Sequence, residues 1–153
     1  MKAISNRNGF SLVELLVVVI IIGIIAALAI PSLLRSRQAA NEASTLSHLR
    51  SINSAEKVYF TTYTAQTVYG TLDDLSSNNL LDSRFTGTPT LGNYTFTLTL
   101  HTPATGFCTI AETTDAASRS FAISHEGRIY FLAGTAAPTC DPQSGGITGG
   151  SPL

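Results

Sequence analysis

One carboxylate stands out among the side chains that could do chemistry: Glu14 lies inside an apolar run from Phe10 to Ile30 that ends at Pro31. From Leu15 to Ile30 no residue is charged or hydroxylated. An acid inside a membrane span costs about 2.5–3.5 kcal/mol on insertion scales unless it meets a partner, so Glu14 predicts one. Cys108 and Cys140 are the other reactive pair. A bond between them closes 31 intervening residues and contributes roughly 3.5–4 kcal/mol on the chain-entropy model; two free buried thiols are the alternative. His48, His101 and His125 are scattered, none at ligand spacing to another His or Cys, so all three are expected at the surface and no metal or cofactor is expected. Asp73 and Asp74 could face a cation, but Thr71-Leu-Asp-Asp74 has the form of a helix capping box. No phosphate loop, nucleophile elbow or zinc motif occurs, so no enzyme is expected. Asn93-Tyr-Thr95 fits a glycosylation sequon, a pattern short enough to arise by chance.

The elements that must position these groups begin with the run around Glu14. Its 21 residues from Phe10 to Ile30 give roughly 31 Å as a helix, the thickness of a bilayer core. A secretory leader also begins with basic residues and an apolar stretch. Here the stretch is too long, no small-x-small cleavage site follows, and a helical pattern continues beyond Pro31. Lys2 and Arg7 precede the span without an acidic residue, which places the N-terminus in the cytoplasm and exports the rest; Arg35 and Arg37 on the far side argue against it. The cysteines favour export weakly. Length leaves room for one small globular domain after the span. Taking Lys2 and Arg7 from the nine basic side chains leaves seven against ten acidic ones, which is no footprint for nucleic acid.

Past Pro31 an apolar stripe recurs at helical spacing through Leu34, Ala39, Ala43, Leu46, Leu49 or Arg50, Ile52, Ala55, Tyr59 and Tyr63, with Arg37, Glu42, Arg50 and Lys57 mostly off it. A helix from Phe10 to about Tyr63 follows, about 80 Å long, apolar all round in front and amphipathic behind. Pro31 removes one amide donor and Gly23 weakens the same stretch; a tolerated kink is one reading, a segment able to stretch is the other. Residues 61–70 read as a loop, and the capping box starts a short helix within 72–81. Tyr94 to His101 alternates with period two, Tyr94, Phe96, Leu98 and Leu100 on one face. Further strands are expected at 107–111, 119–124 and 128–132, with His125-Glu-Gly127 turning between the last two. The fold class is α+β: a long helix whose Leu46–Tyr59 stripe packs on about four antiparallel strands, with Tyr59, Phe60 and Tyr63 packed under the sheet rather than stacked to carry electrons. From Ala133 on, Gly, Pro, Thr and Ser predict an irregular C-terminus, with the last ten residues, 144–153, mobile.

Met1 to Gly9, then Phe10-Ser-Leu-Val-Glu14, then the apolar run to Pro31, resembles the class III leader and first helix of a type IV pilin over about residues 1–60. The resemblance implies a leader of residues 1–9 cut after Gly9 by a prepilin peptidase, which also N-methylates Phe10. It implies a membrane and filament-core helix at 10–33 and an exported domain at 34–153. In that family the carboxylate at Glu14 attracts the N-terminal amine of a neighbouring subunit and sets register; peptidase recognition or a headgroup position is its alternative role. The Gly23 to Pro31 segment is implied to stretch on assembly. Partners implied are further copies of the chain, the assembly platform and ATPase, and minor pilins. The expected location is the inner membrane, then a surface pilus serving adhesion, twitching motility, DNA uptake or secretion. A type II secretion pseudopilin is the alternative within the class, which the cysteine pair and the lack of a clear calcium loop disfavour. A membrane-anchored binding domain that never polymerises is the alternative outside it.

Overall fold

Helix α1 runs from Leu12 to Thr62 without a break, 51 residues including Pro31, as the apolar run and the spacing behind it require. This computed structural model describes residues 9–65, 67–141, 143 and 146–153; Lys2 and Arg7, on which the expected topology rests, lie outside the described residues. Two units divide the chain, Met1–Arg37 and Gln38–Leu153. In the first, the described residues are almost all exposed.

In the second unit the rest of α1 is amphipathic, and its apolar face buries Leu49, Ile52 and Ala55. The buried face starts later than the stripe suggests: Ala39 and Ala43 are exposed. There polar groups from the sheet side meet the helix instead, Gln38 bonding Asp115 and Glu42 bonding Arg119. After the helix, Thr71 caps α2, Leu72–Ser77, by a full capping box with Asp74. That settles Asp74 as a cap, while Asp73 accepts from Gly87 N–H. A 3-10 turn at Ser83–Phe85 follows.

Among the described residues eight strands then follow: β1 Thr90–Leu91, β2 Tyr94–Leu100, β3 Phe107–Thr113, β4 Arg119–Ser124, β5 Ile129–Ala133, β6 Thr139–Cys140, β7 Ile147–Thr148 and β8 Ser151–Pro152. Six form one sheet in the order β1-β2-β3-β4-β5-β8, rather than the four expected, and β6-β7 form a second. Register places Phe96 beside Ala111 and Ala111 beside Phe121, an inner row packed with Ile52 and Leu49 in one core. Alternation explains this row, since period two sends every second side chain to one face. The β4–β5 hairpin turns at 125–127 as its Gly requires, with Gly127 at φ +86°.

Three expectations need correction. The tail is irregular only in part: β8 pairs with β5, β6 with β7, and Leu153 N–H reaches the Ile129 carbonyl. Segments two residues long carry no period, so backbone pairing placed them without a side-chain signal. Part of the outer face, Cys108, Ala122 and Ser124, is buried too, where β6 lies on β3 and β7 on β4, while Thr97 and Glu112 of that face are exposed. Nor are the histidines at the surface. His101 is buried, with its ring edge-on to His125 at 5.6 Å, and His48 is half-buried. Finally, Tyr63 is 51% exposed and stacks on Tyr59, while Phe60 stacks on Tyr69 of the loop, so only part of this aromatic group reaches the core.

Candidate assembly site

Gly9, Phe10 and Ser11 precede the helix in non-helical conformation, with Phe10 87% exposed. Ser11-Leu-Val-Glu14 has the Ser-x-x-Glu form of a helix start. Here it works as one: the Glu14 carboxylate accepts from the Ser11 N–H at 3.2 Å, and Leu15 N–H reaches the Ser11 carbonyl at 3.3 Å. A carboxylate in the first turn also faces the positive end of the helix dipole. Glu14 thus has a use within its own chain that its place in the apolar run conceals, although the motif is legible in the sequence. One bond occupies one of about four lone-pair sites of a carboxylate. The group can therefore cap its helix and still meet a cation.

Beyond Glu14 the helix is a continuous apolar surface. Its most apolar stretch has a mean hydropathy of 3.2, none of it is buried, and it is long and apolar enough to cross a membrane. From Ile20 to Ile25 and from Leu28 to Leu34, every large apolar side chain is at least half uncovered. A side chain added at Gly23 would meet no atom within 4 Å, so nothing in this chain requires glycine there. Pro31 lies within the helix without ending it. In the single chain neither residue breaks the helix.

The second unit is tied together by groups far apart in sequence. Cys108 of β3 is bonded to Cys140 of β6, fastening the C-terminal segment over the outer face of the sheet. Glu42 of α1 holds Arg119 of β4 by two side-chain bonds, at 2.7 and 3.0 Å, and accepts from its backbone N–H at 3.0 Å. The guanidinium lies over the Phe121 and Phe131 rings, and the Glu42 bond holds its proton more tightly. Nothing local in the sequence announces a pair 77 residues apart.

Glu56 is fully buried. Its Oε2 accepts from Gly70 N–H at 3.1 Å, while Oε1 is buried without a partner. Burial pushes its pKa up to about 8 against the opposing Gly70 bond, and Asp74 adds to the rise. The signal was present, because Leu49, Ile52, Glu56 and Tyr59 share helical spacing. In the histidine pair, burial and then His125 hold the His101 pKa below its ordinary value, while Asp141 opposes them. Among the described residues no cluster of three or more His, Cys, Asp or Glu could hold a metal.

Comparison with known proteins bears on the N-terminal third. Residues 4–30 match the model of the prokaryotic N-terminal methylation motif. Type II secretion system core protein G of Escherichia coli K12 is 32% identical over 59 residues, 39% of this chain and 41% of that protein. Type IV major pilin protein PilA of Myxococcus xanthus is 38% identical over 55 residues, 36% of this chain and 25% of that one. Type IV wide pilus major component PilA4 of Thermus thermophilus is 41% identical over 54 residues, 35% of this chain and 41% of its own length. The match thus spans from a quarter to about two fifths of these relatives. No solved structure matches the chain.

Proposed function

We propose that this chain, which belongs through its N-terminal third to the superfamily of type IV pilins and type II secretion pseudopilins, is the structural subunit of a type IV pilus. One observation carries the reading. An apolar helix begins two residues after the Gly9–Phe10 junction, bears one carboxylate in its first turn, and finds no cover among the described residues. Such a surface needs lipid first and further copies of itself later.

In this reading a prepilin peptidase cuts after Gly9 and N-methylates Phe10, and the processed chain waits in the inner membrane. An assembly ATPase and platform, with minor pilins, then add it to the filament. Glu14 meets the methylated amine of Phe10 on a neighbouring copy; at about 4 Å and an effective dielectric of about 20 that attraction is about 4 kcal/mol before desolvation. It sets axial register while aliphatic side chains pack the filament core. Gly23 and Pro31 mark the stretch where the helix can open on assembly.

The test is intact mass spectrometry of sheared surface filaments. The expected mass is Phe10–Leu153 plus one methyl and minus two hydrogens, reporting processing, the disulfide and assembly together. An uncleaved chain overturns the reading. The likeness to core protein G favours a second reading, a secretion pseudopilin, in which the processed chain stays in the inner-membrane fraction and is absent from filaments.

A further inference from the structure

A pocket of about 280 Å³ opens in the Gln38–Leu153 unit where three elements meet: Asn41, Ser44 and His48 of α1, Arg84 of the 3-10 turn, and Gly92 of the β1–β2 turn. At about 30 Å³ per water, the space equals roughly nine waters, enough for an anionic head group or an acidic side chain. None of its lining residues is acidic, so the wall offers donors and one fixed positive charge.

His48 sits edge-on to Phe85 at 5.5 Å and to Phe96 at 5.8 Å. Its Nδ1 is buried without a hydrogen-bond partner, which leaves Nε2 as the nitrogen for the pocket. A neutral imidazole with a dry Nδ1 carries its proton on Nε2, where it can donate. Arg84 pairs with Asp82 at 3.4 Å, both groups more than half exposed. Such a surface pair holds weakly, so the guanidinium is free to turn toward a better acceptor, and its planar fork suits a carboxylate or phosphate.

We propose that this pocket binds one anionic group, a carboxylate or a phosphate, through Arg84, His48 and Ser44. Burial and then the Arg84 charge hold the His48 pKa below its ordinary value. An anion seated between them reverses the second effect, so binding draws a proton onto His48 and strengthens as pH falls. The anion comes either free from solution or from an acidic side chain of a second copy; only the latter rests on the filament reading.

The experiment uses the full chain in detergent micelles with isotope-labelled histidine rings, titrated with inorganic phosphate and then acetate at fixed ionic strength. His101 and His125 serve as internal controls. Saturable movement of His48 alone is expected at millimolar phosphate, with its titration midpoint raised by roughly 0.5–1 unit. Arg84→Gln should abolish the response, and Ser44→Ala should weaken it. A second-copy source predicts the same His48 change on assembly into filaments without added phosphate, whereas a free-anion source predicts none. The proposal is overturned if His48 stays put in both arms, if all three histidines move together, or if Arg84→Gln responds as the wild type does. The phosphate arm requires no filament, so its failure is separable from failure of the pilus reading.

Discussion

Replacing Glu56 by glutamine should change how stability depends on pH, in a way worked from its surroundings. The native carboxyl titrates at about 8 against an ordinary 4.5, a rise driven first by burial. Below pH 4.5 both folded and unfolded chains hold the proton, so the group contributes no penalty. Between 4.5 and 8 the folded chain keeps a proton that the unfolded chain has lost, and stability falls as pH rises, by about 1.4 kcal/mol per unit. The accumulated loss is about 3 kcal/mol at about pH 7 and levels off near about 5 kcal/mol above about pH 8. Against a typical domain stability of about 5–15 kcal/mol, that is a large share.

In Glu56→Gln the new side chain can still accept from Gly70 N–H, but its amide NH₂ would take the place of an Oε1 that has no partner. That exchange costs about 1–3 kcal/mol at any pH. The two stability curves should therefore cross near about pH 6, the wild type ahead at about pH 5 and Glu56→Gln ahead at about pH 8 by about 2–3 kcal/mol. Urea unfolding of the full chain in detergent, followed by tyrosine fluorescence since the chain has five Tyr and no Trp, supplies both curves. Other titrating groups are common to the two proteins and cancel in the difference. Parallel curves across that pH range would refute the argument.

Three further outcomes follow from the same contacts. Glu42→Ala removes every bond from Glu42 to Arg119; because Arg119 is 41% exposed the loss should fall at about 1–3 kcal/mol, read as a lower urea midpoint with an unchanged slope. Converting Cys108 and Cys140 to Ser should cost about 3.5–4 kcal/mol, and dithiothreitol should destabilise the wild type but not the double variant. Gly70→Ala places a methyl 2.8 Å from Tyr59 Cε1 and 3.2 Å from Asp74 Cβ; pushing the ring aside should cost about 1–3 kcal/mol, and amide exchange at residue 70 should quicken.

The parts legible in the sequence are those whose signal is local. Period-two alternation announces β2, the capping box announces α2, and His125-Glu-Gly127 announces the β4–β5 hairpin, because each motif acts within a few residues. The β1–β2 turn has its own local signal, Gly92-Asn93 between the paired Leu91 and Tyr94, although no strand was expected before Tyr94. The remainder is set by contacts between distant segments. Glu42 looks like a solvated charge until β4 brings Arg119 to it. His101 continues the outward row of a strand until the β2–β3 loop folds back, with its backbone N–H on the Gly106 carbonyl. The two-residue strands of the tail are too short to show a period; β6 and β7 are joined by backbone pairing and by a Thr139–Thr148 hydroxyl bond at 2.8 Å, on a segment whose anchor is the Cys140 bond.

The candidate assembly site shows the same division, and it sharpens what Glu14 would have to do in the proposed filament. Its carboxylate already accepts from Ser11 N–H, so the group has a local stabilising role before any second copy arrives. Cleavage after Gly9 would leave the new amine on Phe10, one residue from that bond, where the subunit's own terminus competes with its neighbour's for the same carboxylate. Register by charge therefore requires the neighbour's amine to win in hydrocarbon, where an unmatched charge is costly. Capping and charge separate in one comparison: the amide of Glu14→Gln can accept the Ser11 bond without the charge, whereas Glu14→Ala loses both. If Glu14→Gln assembles normally and Glu14→Ala does not, the helix start is what assembly needs, and the amine has no part in register. If both are processed and neither assembles, the charge is required. A helix start that is satisfied alone, followed by an apolar surface that is not, is what a subunit needs if it must persist singly in a membrane and then pack against copies of itself.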